Sequence, residues 1–133
     1  DTYPVAKLQF AQHSLYVLAG ASGRTMAFGP GHMSATPLPF EGGNSVITGH
    51  RDTHFSSLQY LNNGDLIAVE TLTDKGQYRV TETFIVDQSQ TQIIESQNQY
   101  QLTLITCYPF NSMLPQPTLR FVVSAQRVPA ANG

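Results

Sequence analysis

An all-β domain, closed into a small barrel or stacked as a two-sheet sandwich, is the fold class this sequence predicts. Eight short β-prone runs follow one another along 133 residues, separated by Gly, Pro and Asn. Helical periodicity is weak, and several runs alternate apolar with polar residues, as strands buried on one face do. About eight strands leave sheet edges that must be removed or shielded; closure does this most economically, although pattern alone does not choose between barrel and sandwich.

The predicted strands are residues 7–10, 15–18, 25–28, 45–49, 66–71, 78–87, 102–106 and 119–128. In the first, Lys7-Leu8-Gln9-Phe10 alternates polar with apolar residues; the second, Leu15-Tyr16-Val17-Leu18, is a continuous apolar run closed by Gly20. The third, Thr25-Met26-Ala27-Phe28, stops at Gly29-Pro30-Gly31, and the fourth, Ser45-Val46-Ile47-Thr48-Gly49, leads into His50. Residues 53–61 predict a helical turn or two, with Phe55, Leu58 and Leu61 at three-residue spacing; Asn62-Asn63-Gly64-Asp65 then turns the chain into the fifth strand. The sixth and eighth contain the clean alternations Tyr78-Arg79-Val80-Thr81 and Phe121-Val122-Val123-Ser124. The seventh, Leu102-Thr103-Leu104-Ile105-Thr106, ends at Cys107-Tyr108-Pro109, because proline cannot continue a ladder. Residues 1–4 and 129–133 are expected to be frayed ends.

Composition narrows the function. The chain is 41% hydrophobic and 12% charged with net charge −2, so it has no basic footprint for nucleic acid or for an anionic membrane surface. No run approaches the ~18–20 apolar residues of a membrane helix. The chain opens at Asp1 rather than Met and is read as an excised soluble domain.

One cysteine precludes an internal disulfide. A lone cysteine most often serves as a small buried hydrophobe, and composition alone favours that role for Cys107. Its place at a strand end opens another, since a rigid strand fixes a reacting group while the following loop gives access. A thiol nucleophile needs a base or cation beside it, and His50 ends a strand in the same manner. Of the other histidines, His13 reads as a turn residue, His32 as part of a tight loop that shapes a site wall, and His54 as a loop residue packed beside Phe55 or hydrogen-bonded within the loop. His50 and His54 without clustered cysteines or carboxylates do not make a recognised metal motif. Arg120 begins a strong β run and either faces water or serves an oxyanion; Arg24, Arg51, Arg79 and Arg127 are equally eligible by residue type.

Gly49-His50-Arg51, Thr103-Leu104-Ile105-Thr106-Cys107 and Leu119-Arg120-Phe121-Val122-Val123, in that order, resemble the three signature segments of the sortase family. The likeness runs from about Lys7 to Val128. Thr48-Gly49-His50-Arg51-Asp52-Thr53-His54-Phe55, Cys107-Tyr108-Pro109-Phe110 and Gly29-Pro30-Gly31-His32-Met33 look most like class D sortases and the related sortases of Gram-negative marine bacteria. The resemblance implies an eight-stranded sortase-type β-barrel with residues 1–133 as a single catalytic domain, and a membrane anchor N-terminal to it. It implies a cysteine transpeptidase on the extracytoplasmic face of the bacterial cytoplasmic membrane, periplasmic in a Gram-negative cell. Such an enzyme cleaves an LPXTG-like sorting signal between Thr and Gly and transfers the acyl group to an amine acceptor.

On that resemblance Cys107 is the nucleophile, His50 the acid and base, and Arg120 the oxyanion partner, with Thr106 and Tyr108 contacting substrate. No cofactor and no metal is expected. No Asp-Pro-aromatic lid motif occurs, and residues 87–101 carry only Asp87 and Glu95 as acidic side chains, so no calcium site is evident there. That stretch is where the resemblance places a substrate-contacting loop; its Gln88, Gln90, Gln92, Gln97, Gln99 and Gln101 predict a polar, solvated segment. Two alternatives remain: a hydrolytic cysteine endopeptidase acting on the same signal, and a non-catalytic peptide-binding barrel.

Overall fold

A computed structural model of the chain describes residues 2–95 and 99–130. Its eight strands are β1 (Pro4–Phe10), β2 (His13–Ala19), β3 (Gly31–His32), β4 (Asn44–Thr48), β5 (Leu66–Thr71), β6 (Lys75–Asp87), β7 (Gln101–Tyr108) and β8 (Leu119–Arg127). They form a closed barrel in the order β1-β2-β3-β4-β7-β8-β6-β5, with β5 pairing β1 to complete the ring. Closure leaves no edge strand, and it decides for the barrel over the sandwich. The pairs β2–β3 and β4–β7 are parallel and the others antiparallel.

Period-two alternation fills the interior. Leu8, Val17, Ile47, Ile67, Val69, Tyr78, Val80, Leu102, Leu104, Val123 and Ala125 all point into one buried cluster. The connection after β4 adds Phe55, Leu58 and Leu61, the three residues whose spacing predicts a helical turn; Ser56–Tyr60 is a short 3-10 helix. Burial of these side chains at roughly 1.5–3 kcal/mol each is the main favourable term in folding.

The structure differs from the sequence-based expectation at three places. Residues 25–28 are not a strand; Gly23–Met26 is a single helical turn capped by the Ser22 hydroxyl, which accepts from Thr25 N at 3.2 Å. The strand that completes the eight is instead β3, Gly31–His32, two residues long and too short to leave a periodic signal. Gly31 is required there, because a Cβ would lie 2.1 Å from the Gly20 carbonyl oxygen. The N-terminus is also not frayed from Thr2 onward. The Thr2 hydroxyl donates to Ala19 O at 2.8 Å, Ala19 N donates to Tyr3 O, and Pro4 is paired in β1. At the other end, Val128 N still donates to Gln77 O, and residues 131–133 lie outside the described residues.

Candidate active site

Parallel pairing of β4 and β7 sets the site. It aligns Ile47 with Leu104 and Thr48 with Ile105, so both strands end at the same rim of the barrel. Just past the ladder, Gly49 N donates to Ile105 O at 3.1 Å, and the buried Thr106 hydroxyl donates to Gly49 O at 2.7 Å. Two bonds therefore fasten the residue before His50 to the two residues before Cys107. The chain then folds back on itself, with Phe55 N donating to His50 O at 3.0 Å and the Phe55 ring lying on Gly49.

His50 and Cys107 line one cleft of about 440 Å³, together with Arg51, Asp52, Ser112, Met113, Leu114, Pro115 and Pro117. That volume is within the usual range for a ligand site. Cys107 is half-buried and free. Directly opposite it in the β7–β8 ladder stands Arg120. The Arg120 guanidinium is braced by three acceptors: Nη1 donates to Pro117 O at 2.9 Å and Leu119 O at 3.0 Å, and Nη2 donates to Gln88 Oε1 at 3.0 Å. Asp87, fully exposed, has its carboxyl held below the usual range, chiefly because Ser89 donates to it from both hydroxyl and backbone N, with a smaller contribution from Arg120.

Alternation places further residues on the Cys107 face of the sheet. Ile105 and Val122 lie two positions from Cys107 and Arg120, and with Val46 they form a second buried apolar cluster outside the barrel core. Met33, Phe84, Val86, Ile93 and Ile94 pack against it. Ile93 and Ile94 belong to a 3-10 turn, Thr91–Ile94, in the β6–β7 connection. The glutamine-rich stretch is thus not simply polar and solvated: its two isoleucines dock on the barrel, and Gln88 braces Arg120 (Gln97 lies outside the described residues).

Asn44, almost wholly buried, anchors this connection. Its Nδ2 donates to Ile93 O at 3.0 Å and Glu95 O at 3.2 Å, while its Oδ1 accepts from the Thr103 hydroxyl at 2.6 Å. This gives the first threonine of Thr103-Leu104-Ile105-Thr106-Cys107 a structural task that sequence reading missed. Stepping back by twos from Cys107 to Ile105 and Thr103 was the signal that would have found that face.

By the same alternation Thr106 and Tyr108 face away from Cys107. Thr106 is buried with its hydroxyl engaged, and the Tyr108 ring packs against Phe121 and Phe110, with centroids 6.3 and 6.0 Å away. Neither side chain therefore shares the Cys107 face of the sheet. His32, expected to shape a site wall, is buried, with Nε2 2.9 Å from Pro37 O, where it fastens the loop that carries Met33. Among the described residues, no cluster of three or more His, Cys, Asp or Glu is arranged to hold a metal. The His54 Nδ1 lies 3.5 Å from the Thr53 hydroxyl, within the same loop.

A closed barrel whose only thiol faces an arginine across one ladder and shares a cleft with a strand-end histidine defines a class: small β-barrel domains with a Cys–His–Arg rim. The chain belongs to the sortase family, whose domain model matches residues 7–128. It is 33% identical over 115 residues to Sortase D of Bacillus subtilis, a match covering 86% of this chain and 58% of that protein, so the chain spans less than two thirds of this relative's length. Among solved structures, Sortase A from Corynebacterium diphtheriae, in a lid mutant, superimposes with a TM-score of 0.87 at 26% identity over 98% of this chain and 73% of that one. Sortase C-1 from Actinomyces oris gives 0.85 at 31% identity, covering 96% and 74%. A Clostridium perfringens Sortase D5 transpeptidase gives 0.83 at 26%, covering 95% and 79%. The class D likeness of the sequence motifs agrees with the Bacillus subtilis relative.

Proposed function

We propose that this chain is the catalytic domain of a cysteine transpeptidase that cleaves an LPXTG-like sorting signal between Thr and Gly and passes the acyl group to an amine. The observation that carries this reading is the placement of Cys107: opposite Arg120 in the ladder and along one cleft with His50. The Cys107 thiolate attacks the threonine carbonyl carbon, and the carbonyl pair moves onto oxygen. Arg120, already braced by Gln88 and two carbonyls, donates to that oxyanion. Collapse breaks the C–N bond, and His50 as imidazolium gives its proton to the departing amine, leaving a thioester. An incoming amine attacks the thioester, His50 takes its proton, and the thiolate departs.

Thr106 and Tyr108 take part through their main chain. The proposed setting is the extracytoplasmic face of the cytoplasmic membrane, reached through an anchor outside residues 1–133; in a Gram-negative cell that face is periplasmic. No helix among the described residues is long and apolar enough to cross a membrane.

Incubation with a Leu-Pro-Ala-Thr-Gly peptide, with and without triglycine, tests this reading by mass spectrometry. Expected are a thioester adduct on Cys107, a triglycine product, and loss of both in Cys107→Ala. Free acid as the sole product in the presence of triglycine would instead make the domain a hydrolytic endopeptidase. Peptide binding without any adduct or cleavage would leave a binding barrel.

A further inference from the structure

We propose that Arg51 is a positioning residue for the amine acceptor: its guanidinium locks the β7–β8 connection against the strand end that carries His50. Arg51 Nη1 donates to Pro109 O at 3.2 Å, and Nη2 donates to Ser112 O at 3.1 Å and Leu114 O at 2.6 Å. Three main-chain carbonyls of one loop thus converge on one side chain. Planar, multi-donor geometry of this kind is what arginine supplies and lysine does not.

Little else holds that loop. Among the described residues, no other hydrogen bond reaches residues 109–116 from outside the stretch; Leu114 N donates only to the Ser112 hydroxyl within it. Tyr108, Phe110 and Phe121 pack its start, and Arg120 holds Pro117 at its end. Between those points Met113 and Leu114 are exposed. Without Arg51 the middle of the loop has no polar attachment to the barrel.

The loop is also one wall of the cleft. Ser112, Leu114, Pro115 and Pro117 line it together with His50, Asp52 and Cys107. The cleft is the open space bordered by both Cys107 and His50, so whatever departs from or attacks the thioester occupies it. Microscopic reversibility puts the leaving amine and the incoming amine in the same place, beside the group that exchanges protons with both. A peptide acceptor must be held between two walls there, and misplacing one of them by about 1 Å costs on the order of 10²-fold in rate. A very small nucleophile needs no wall.

The inference rests on the transpeptidase reading, and its test separates the two. Arg51→Ala and Arg51→Lys are compared with wild type and with Arg24→Ala, a surface control. Three quantities are read: the rate of Cys107 acylation by the Leu-Pro-Ala-Thr-Gly peptide, the apparent KM for triglycine, and the rate at which hydroxylamine discharges the thioester. Limited proteolysis within residues 109–116 is followed in parallel. Arg51→Ala is expected to keep acylation and hydroxylamine discharge within about threefold of wild type while raising the triglycine KM by roughly tenfold or more. It is also expected to speed loop cleavage, with Arg51→Lys intermediate. An unchanged triglycine KM would overturn the proposal, as would equal losses with triglycine and hydroxylamine, which mark a general structural role. If wild type itself forms no thioester, the transpeptidase reading fails, and the clamp is judged by loop cleavage alone, unchanged rates refuting it.

Discussion

Gly49→Ala is the perturbation whose sign the structure decides. A Cβ at this position would lie 2.8 Å from both Cγ and Cδ2 of Phe55 and 3.3 Å from its Cβ. Optimal carbon–carbon separation is about 3.5–4.0 Å, so roughly 0.7–1.2 Å of overlap must be relieved. Phe55 is fully buried in the main core and cannot swing aside, and Gly49 is fastened to Ile105 O and to the Thr106 hydroxyl. Overpacking of this kind costs about 1–3 kcal/mol. Against it stands the gain of about 0.4–1 kcal/mol from a less flexible unfolded chain, available because Gly49 is not in the left-handed region. The net expectation is a loss of about 1–2 kcal/mol, measured as a lowered urea midpoint at unchanged slope. In a Phe55→Ala background the 2.8 Å contacts with Cγ and Cδ2 are gone and only the 3.3 Å approach to Cβ remains, so the same Gly49→Ala change becomes close to neutral or stabilising. A double-mutant cycle with a coupling of about 1 kcal/mol or more follows. Equal effects of Gly49→Ala in both backgrounds, or stabilisation in the wild-type one, would refute the packing argument.

Thr106→Val keeps the buried volume but removes the donor to Gly49 O; it should cost about 1–3 kcal/mol and slow acylation by displacing His50, with Thr106→Ser restoring both. Thermal melts and the thioester assay on the three proteins read this directly. Burial raises the Tyr78 phenol above its ordinary value of 10.0, opposed in part by Phe40 N, which donates to it at 2.9 Å. A raised folded-state value means the unfolded chain loses its proton first. The Tyr78 contribution is therefore intact below about pH 10 and is lost as pH rises from there toward the folded value. Urea midpoints from pH 8 to 11 should fall more steeply in wild type than in Tyr78→Phe, which is less stable at pH 8 for want of that hydrogen bond.

The rim is organised by a few bonds with unequal duties. Thr106 and Gly49 register His50 against Cys107, Arg120 is braced from the start of the β6–β7 connection and its own loop, and Asn44 ties the β6–β7 wall to β4 and β7. Each is a buried or part-buried polar group whose partner is a main-chain carbonyl or a side chain from a distant part of the chain. Such bonds hold loops in place on a barrel whose own ladder ends at the rim.

Much of this was legible from residue order. β-prone runs punctuated by Gly, Pro and Asn identified seven of the strands, and the three signature segments pointed to the family. The two-residue β3 escaped because a strand that short has no period, and residues 25–28 misled because an apolar run of four fits a helical turn equally well. Which arginine faces the thiol was also beyond composition: the antiparallel register of β7 and β8, not residue type, sets Arg120 against Cys107 and leaves Arg51 to the loop carbonyls. Sequence by itself determined the all-β class, the lone thiol at a strand end and its relatives. Tertiary structure decided its neighbours, because pairing β4 in parallel with β7 brings together positions about sixty residues apart, and no local propensity encodes that closure.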